Sequence, residues 1–374
     1  MDLYEAGGFV TIPANPFKMI IKKLEQFIKN QGWSFYAVTD IGTVKKNLKK
    51  HQVVFDEWIK KGYEADMHYL QKMEEDRFNP ENKLPDVRSV IVLGALYMQP
   101  AISAPKGPLR GNQQSAKGIV ASYARGRDYH NILKKKLLEL SNHLKTQNSK
   151  AETYISVDSG PTVDRVLAEC AGIGFFGKNC NIINPSRGSY FFIAILMTNV
   201  DLPSTPVLRM PNCADCQKCQ KACPTGALVG PGVLDARKCV SYLTIENKDG
   251  IPVELRSKIG NRLFGCDSCQ ECCPFNMRDL RLKIKDLSPE CGVGDSLDLK
   301  KILSIVSDEE FTKIFAGTPI MRAKRRGLLR NACVVAGNSG DKSLATYLKK
   351  LVEREDDDIL KEHAQWAIGQ LKKN

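Results

Sequence analysis

The stretch CADCQKCQKACPTGAL, Cys213 to Leu228, decides how this chain is read. Its cysteines fall as C-x2-C-x2-C-x3-C, with Pro224 directly after the last. In runs of this spacing three thiolates hold one [4Fe–4S] cluster and the fourth serves a second cluster. Soft thiolates suit iron–sulfur clusters, and the short spacers let the chain wrap one cubane face with backbone N–H groups turned to sulfur. A zinc ribbon is the competing reading. It usually needs two separated CxxC knuckles and has no use for the proline.

A second run should follow if there are two clusters, and Cys266-x2-Cys269-x3-Cys273-Pro274 supplies it. Aligned on the Cys-Pro pair, it matches the last three cysteines of the first run, with Leu263 where Cys213 would have its partner. Two cubanes need four thiolates each, and the two runs hold seven. Cys239, in DARKCVSYL between the runs, is the eighth candidate, and Cys272 is its rival. The exchange of the fourth ligand predicts Cys213, Cys216, Cys219 and Cys273 on one cluster. Cys223, Cys239, Cys266 and Cys269 then hold the other. For Cys170, Cys180, Cys291 and Cys333 a buried structural thiol is the default.

Outward from this segment the chain is ordinary in bulk and unusual in charge. Of 374 residues, 43% are hydrophobic and 26% charged, which excludes wholesale disorder, collagen-like repeats and a coiled-coil rod. No run reaches the roughly 18 apolar residues of a membrane span, and no export signal is seen, so a cytoplasmic protein is expected. In that reducing compartment thirteen cysteines argue for metal or redox chemistry rather than disulfides. A net charge of +13 suggests a polyanionic partner, nucleic acid first.

Residues 1–16 read as a flexible extension, and residues 17–206 as an α/β domain. Helical patterns cover Phe17–Asn30, Thr43–Lys61, Asp66–Met73, Tyr129–Thr146 and Thr162–Gly172. Strand patterns cover Phe35–Val38, Ser89–Tyr97, Thr153–Val157 and Ser189–Met197, and residues 100–117 read as an exposed loop. Residues 207–295 form the cysteine-dense, ferredoxin-like unit. Residues 296–374 carry three amphipathic helices near Met321–Ala336, Ser343–Glu353 and Leu360–Leu371, which resemble one HEAT-like unit.

GIGFFG, Gly172 to Gly177, fits GxGxxG, but a helix pattern precedes it where a dinucleotide loop needs a strand. Its glycines read instead as a helix cap or a close backbone approach to a bulky ligand. The five histidines show no metal spacing, and His130 is read as surface or core structure. Asp158, in YISVDSGPTVDR, ends a predicted strand. It is either a proton donor or the cap of its own turn. Asp164 reads as helix surface. Arg77 and Lys178 stand beside Gly or Pro turns where a cofactor's phosphate or amide oxygens could be met.

Taken together, several blocks resemble the epoxyqueuosine reductases, iron–sulfur and cobalamin enzymes of tRNA modification. They are RFNP with SVIVL after it, RGRDYH, VDSGP, AGIGFFGKN, GSYFF, LDARKCVSYLTIE, IGNRLFGCD, RRGLLRNACVVAGN and EHAQWAIGQL. The likeness runs from about residue 17 to the end. It implies a base-off cobalamin in the α/β domain, wired to the two clusters. The reaction would remove the epoxide oxygen from epoxyqueuosine at the tRNA wobble position, giving queuosine. The resemblance implies Asp158 as proton donor and Arg77, Asp158, Ile182, Ile193, Ser241 and the turn Cys266, Asp267, Ser268, Cys269 as cobalamin contacts. The glycines of 172–179 would let a corrin pass close to backbone.

For the charge, Arg322, Lys324, Arg325, Arg326 and Arg330 at one predicted helix start are expected to grip RNA, with Lys248 nearer the anticodon. An external electron donor and a monomeric state complete the expectation. Two rivals stay in view. A cobalamin-dependent reductive dehalogenase shares the cofactors but has no use for the basic helical tail. A plain electron carrier would bind no cobalamin.

Overall fold

The computed structural model describes residues 16–97, 116–207, 210–276 and 284–373. The expected extension, apart from residue 16, and nearly all of the expected 100–117 loop lie outside them. Four strands build the central sheet in the order Phe35–Asp40, Ser89–Leu96, Phe191–Thr198, Thr153–Ser156. Helices and strands alternate as their patterns predict, yet every neighbouring pair in this sheet is antiparallel.

Both faces of the sheet are covered, which is why Ser89–Leu96 is buried at every position. Its period of two sends Ile91, Leu93 and Ala95 to one face. There they meet Leu24 and Ile28 of helix Pro16–Asn30, and Leu133, Leu137 and Leu140 of helix Tyr129–Gln147. Val90 and Val92 turn to the other face, against Val44 and Leu48 of helix Ile41–Lys60 and Val166 and Leu167 of helix Asp164–Cys170. Truncating any of these leucines to alanine should cost about 2–5 kcal/mol. Asp40 and Asp128 cap the two long helices, accepting from the N–H of Thr43 and of His130 respectively.

A second sheet joins parts of the chain that composition sets apart. Strand Lys117–Val120 pairs in parallel with Arg262–Phe264 and antiparallel with Ser296–Asp298. Gly118 makes this approach possible, since a Cβ there would lie 2.6 Å from Leu263. Val120, Leu263 and Phe264 share one apolar core with Leu299, Leu328, Leu348 and Leu360. The metal-binding segment is therefore fastened to both flanking units rather than strung between them.

The C-terminal helices are Lys324–Ser339, Ala345–Arg354 and Asp358–Lys373. The first starts three residues after its sequence pattern, because Pro319–Ala323 forms a 3-10 turn first. Gly337 lets the first and last helices close together: a Cβ there would lie 2.6 Å from the Trp366 ring.

Candidate active site

Strand Thr153–Ser156 leads into a tight turn that sets Asp158 in the left-handed region, with φ of 54°. That conformation costs energy for a residue with a side chain, so the turn must be held. Asp164 holds it. Its Oδ2 accepts from the backbone N–H of Asp158 at 3.0 Å, and its Oδ1 accepts from the Thr162 hydroxyl. Arg77 Nη1 donates to the Thr162 carbonyl at 3.2 Å, closing the turn from outside. Asp164 is thus not the helix-surface residue its position suggests. Burial pushes its carboxyl up to about 6.

Capping of the turn falls to Asp164, and the Asp158 side chain is left free of that task, 67% exposed. Its Oδ2 accepts from the Tyr129 hydroxyl and lies 3.9 Å from His130 Nε2. Burial raises the Tyr69, Tyr123 and Tyr129 phenols, and the Asp158 charge adds to the rise in each. Glu246 and Arg322 act on Tyr69 as well. The three phenols thus gather around the Asp158 charge, bringing the segments near residues 69, 123–130 and 158 together. Arg77 also offers a buried Nε with no hydrogen-bond partner.

The thiols fall into two neighbourhoods. Cys273 feels Cys213, Cys219 and Cys216. These four surround a cavity of about 50 Å³ that Lys178, Asn179 and Phe275 complete. Cys269 feels Cys266, Cys239 and Cys223. Burial pushes Cys239 up to about 11, while the backbone amides of Tyr242 and Ser241 oppose the shift. Backbone N–H groups reach sulfur at Lys178 to Cys213, 3.4 Å, and at Ala227 to Cys223, 3.3 Å. Cys272 feels Cys219, Cys273 and Cys216, while its Sγ lies 3.7 Å from the Cys269 carbonyl. No trio of His, Cys, Asp or Glu among the described residues converges on a single ion. A cubane does not need that, because each thiolate takes a different iron.

The second group lies toward Asp158, since Tyr123 feels both the Asp158 and the Asp267 carboxylates. Asp267, inside its Cys266–Cys269 turn, accepts from both the N–H and the hydroxyl of Ser122 at 2.7 Å. Ser268 accepts from Arg262 Nη2 at 2.8 Å. Both residues belong to the turn expected at the cofactor. Their side chains anchor the turn. Ile182 is closed into the core, Ile193 is partly buried beside it, and Ser241 lies next to Cys239. The space above Gly174 and Gly177 is filled by the chain itself: added Cβ atoms would lie 2.5 Å from the Ile183 carbonyl and 2.4 Å from its side chain. These close approaches account for glycine at both positions.

Two family models match this chain: "Epoxyqueuosine reductase QueG, DUF1730" over residues 77–159, and "4Fe-4S double cluster binding domain" over residues 212–276. The epoxyqueuosine reductase of Francisella cf. novicida (strain Fx1) is 36% identical over 342 residues, covering 90% of this chain and 93% of its own. That of Escherichia coli (strain K12) is 34% identical over 354 residues, covering 94% and 90%. The chain belongs to the epoxyqueuosine reductase family. An epoxyqueuosine reductase crystallised with a tRNA-Tyr epoxyqueuosine-modified stem loop matches it with a TM-score of 0.81 at 31% identity, covering 96% of this chain and 91% of the other.

As an epoxyqueuosine reductase the chain is an oxidoreductase that carries a double-cluster domain. Its basic C-terminal helix start does not all face outward. Arg330 is 2% exposed and donates to the carbonyls of Leu243, Asn247 and Asp249, so it is a strut and not an RNA contact. Burial pushes its guanidinium down to about 10. Arg325 is likewise internal, paired with Glu355 and reaching the Ile305 carbonyl. Arg326 pairs with Asp357 and holds the Lys248 carbonyl. Arg322, in a two-pronged pair with Glu246, is exposed, as are Lys324 and Lys248. Sequence reading missed Asp164, Tyr129 and Ser122. Only the block RGRDYH carried a signal for any of them.

Proposed function

We propose that this chain reduces epoxyqueuosine to queuosine at the wobble position of tRNA, using cobalamin bound beside Asp158 and two [4Fe–4S] clusters on the two thiol groups. One observation carries the reading: the exposed Asp158 carboxyl and Asp267, inside the turn that holds Cys266 and Cys269, act on the same buried Tyr123 phenol. The residues fit the cofactors. Eight thiols stand in two fours, and the orphaned Arg77 Nε is a donor that a corrin's amide oxygens can satisfy. Bound cobalamin would supply a strongly reducing metal centre, and the protein supplies position and protons.

Asp158 gives its proton to the epoxide oxygen as the C–O bond opens. Asp164 fixes the backbone that carries it, and Tyr129 orients the carboxyl by donating to Oδ2. Arg77, Ile182, Ile193, Ser241 and the 266–269 backbone are the proposed cofactor contacts. Residues 17–206 serve as the cobalamin-binding catalytic domain and 207–295 as the ferredoxin-like domain. Residues 296–374 form a HEAT-like tRNA-binding domain, and Arg322, Lys324 and Arg326, with Lys248 of the neighbouring domain, are the proposed RNA contacts. We further infer an external electron donor, a monomeric state and a cytoplasmic setting. No helix among the described residues is long and apolar enough to cross a membrane.

The test is anaerobic incubation of the protein, cobalamin and a low-potential reductant with tRNA carrying epoxyqueuosine, the nucleosides being read by mass spectrometry. Loss of one oxygen, dependent on cobalamin and abolished in Asp158→Ala, is the expected result. Unchanged tRNA with cluster absorbance intact would overturn the proposal.

A further inference from the structure

The proposed reaction sets a proton requirement that one carboxyl does not meet alone. Opening both C–O bonds of an epoxide and forming C=C consumes two electrons and two protons, and the oxygen leaves as water. The electrons come from the external reductant. Asp158 holds a single proton at a time, and a substrate seated over it shields it from bulk water.

Three side chains stand near enough to matter. Tyr129 donates to Asp158 Oδ2, but burial and the adjacent carboxylate raise its phenol far above neutral pH, so it keeps its proton. Asp164 faces the back of the turn, bound to the Asp158 N–H and to Thr162. His130 is different. Its Nδ1 lies 2.8 Å from Asp128 Oδ1 and its Nε2 lies 3.9 Å from Asp158 Oδ2, so the ring spans two carboxylates.

Local structure fixes that ring. Asp128 is the N-cap of helix Tyr129–Gln147, and the same Oδ1 accepts the His130 backbone N–H at 3.0 Å. The imidazole also stacks on Tyr129, with ring centroids 4.0 Å apart. Hydrogen bonding to His130 holds the Asp128 carboxyl below the usual range, so a negative charge stays behind the ring. Nδ1–H directed at Asp128 turns Nε2 toward Asp158, and 3.9 Å is within reach of one bridging water. The His130 side chain is 36% exposed, which gives it its own access to solvent protons.

We propose that His130 is the relay that returns a proton to Asp158 within each turnover, so that one carboxyl delivers both protons. Nε2–H passes its proton to Asp158 Oδ2 after the first transfer, and the imidazole is recharged from solvent. This rests on the epoxide-reduction reading above. Among the described residues the ionisable groups in contact with the ring are Asp158, Asp128 and Tyr129, and none of them needs to change charge between turnovers except Asp158.

The test is the single-turnover rate of pre-reduced, cobalamin-loaded protein on epoxyqueuosine tRNA between about pH 5 and 9. Wild type should show a titrating limb in this range. His130→Gln should be slower by roughly tenfold or more, without that limb, while tRNA affinity and cluster absorbance stay at wild-type values. Imidazole added to His130→Ala should restore part of the rate. A His130→Gln protein with wild-type rate and limb would overturn the relay, and so would one that is slow yet keeps the limb. Wild-type protein that leaves the nucleoside unchanged would instead overturn the functional reading beneath it.

Discussion

The metal-binding segment and the C-terminal helices reward the same kind of reading very differently. In residues 213–273 the spacing of cysteines anticipates which thiols become neighbours: four gather around one cavity and four around Cys269. In residues 322–330 five basic side chains lie close in sequence, yet Arg330 and Arg325 turn inward and Arg322 stays outside. Spacing of two or three residues fixes distance, because the backbone between the ligands is too short to do otherwise. A single arginine on a helix carries no such constraint. Its direction is decided by what packs against the helix, here the carbonyls of the 243–249 segment.

The sharpest way to break this contrast is within the cysteines. Cys239→Ser should reduce bound iron from roughly eight to four atoms per chain and abolish turnover, whereas Cys272→Ser should leave iron content unchanged. Iron analysis and cluster absorbance check both. Equal loss in the two variants would show that spacing alone misleads here as well. Asp158→Asn should keep both clusters and lower turnover on the order of 10²- to 10⁴-fold, measured on epoxyqueuosine tRNA.

The arginines give smaller effects of two different kinds. Arg330→Met strands three buried carbonyls and should lower stability by about 3 kcal/mol, read as a shifted denaturation midpoint. Arg322→Ala should change stability by less than about 1 kcal/mol and reduce the salt dependence of tRNA binding by about one phosphate contact. If Arg330→Met changed the salt slope and not the midpoint, the inward assignment would fail.

The smallest effect concerns pH. His363 is fully buried in the last helix, accepts from the Ile251 N–H, and faces Arg256, Glu362 and Arg330. Burial is the main cause that pushes it down from 6.5 to about 4. The folded chain keeps this imidazole neutral while the unfolded chain takes up a proton. Its contribution is therefore present above about pH 6.5 and lost as pH falls toward 4. Denaturation midpoints at neutral and acid pH should converge in His363→Gln relative to wild type.

Much of the fold was legible because periodicity reports burial. Ser89–Leu96 and Phe191–Thr198 stand within one or two residues of their apolar runs. The active-site turn was half legible. Asp158 stood out by ending a strand before Ser-Gly-Pro, but nothing local said that Asp164 would take over the capping or that Tyr129 and His130 would meet it from a helix some thirty residues earlier. The antiparallel order of the central sheet was also hidden, since a helix between two strands permits either direction.

By itself the sequence determined where most strands and helices form and which short cysteine runs bring thiols together. Those depend on interactions across a few residues, through backbone geometry and solvent exclusion along one element. Only the tertiary structure decided that strand Lys117–Val120 would stitch all three parts together, that Arg330 would be a strut, and that Asp128, His130 and Asp158 would stand in line. These depend on contacts between distant segments. Their partners are chosen by how whole faces pack, which no local pattern encodes.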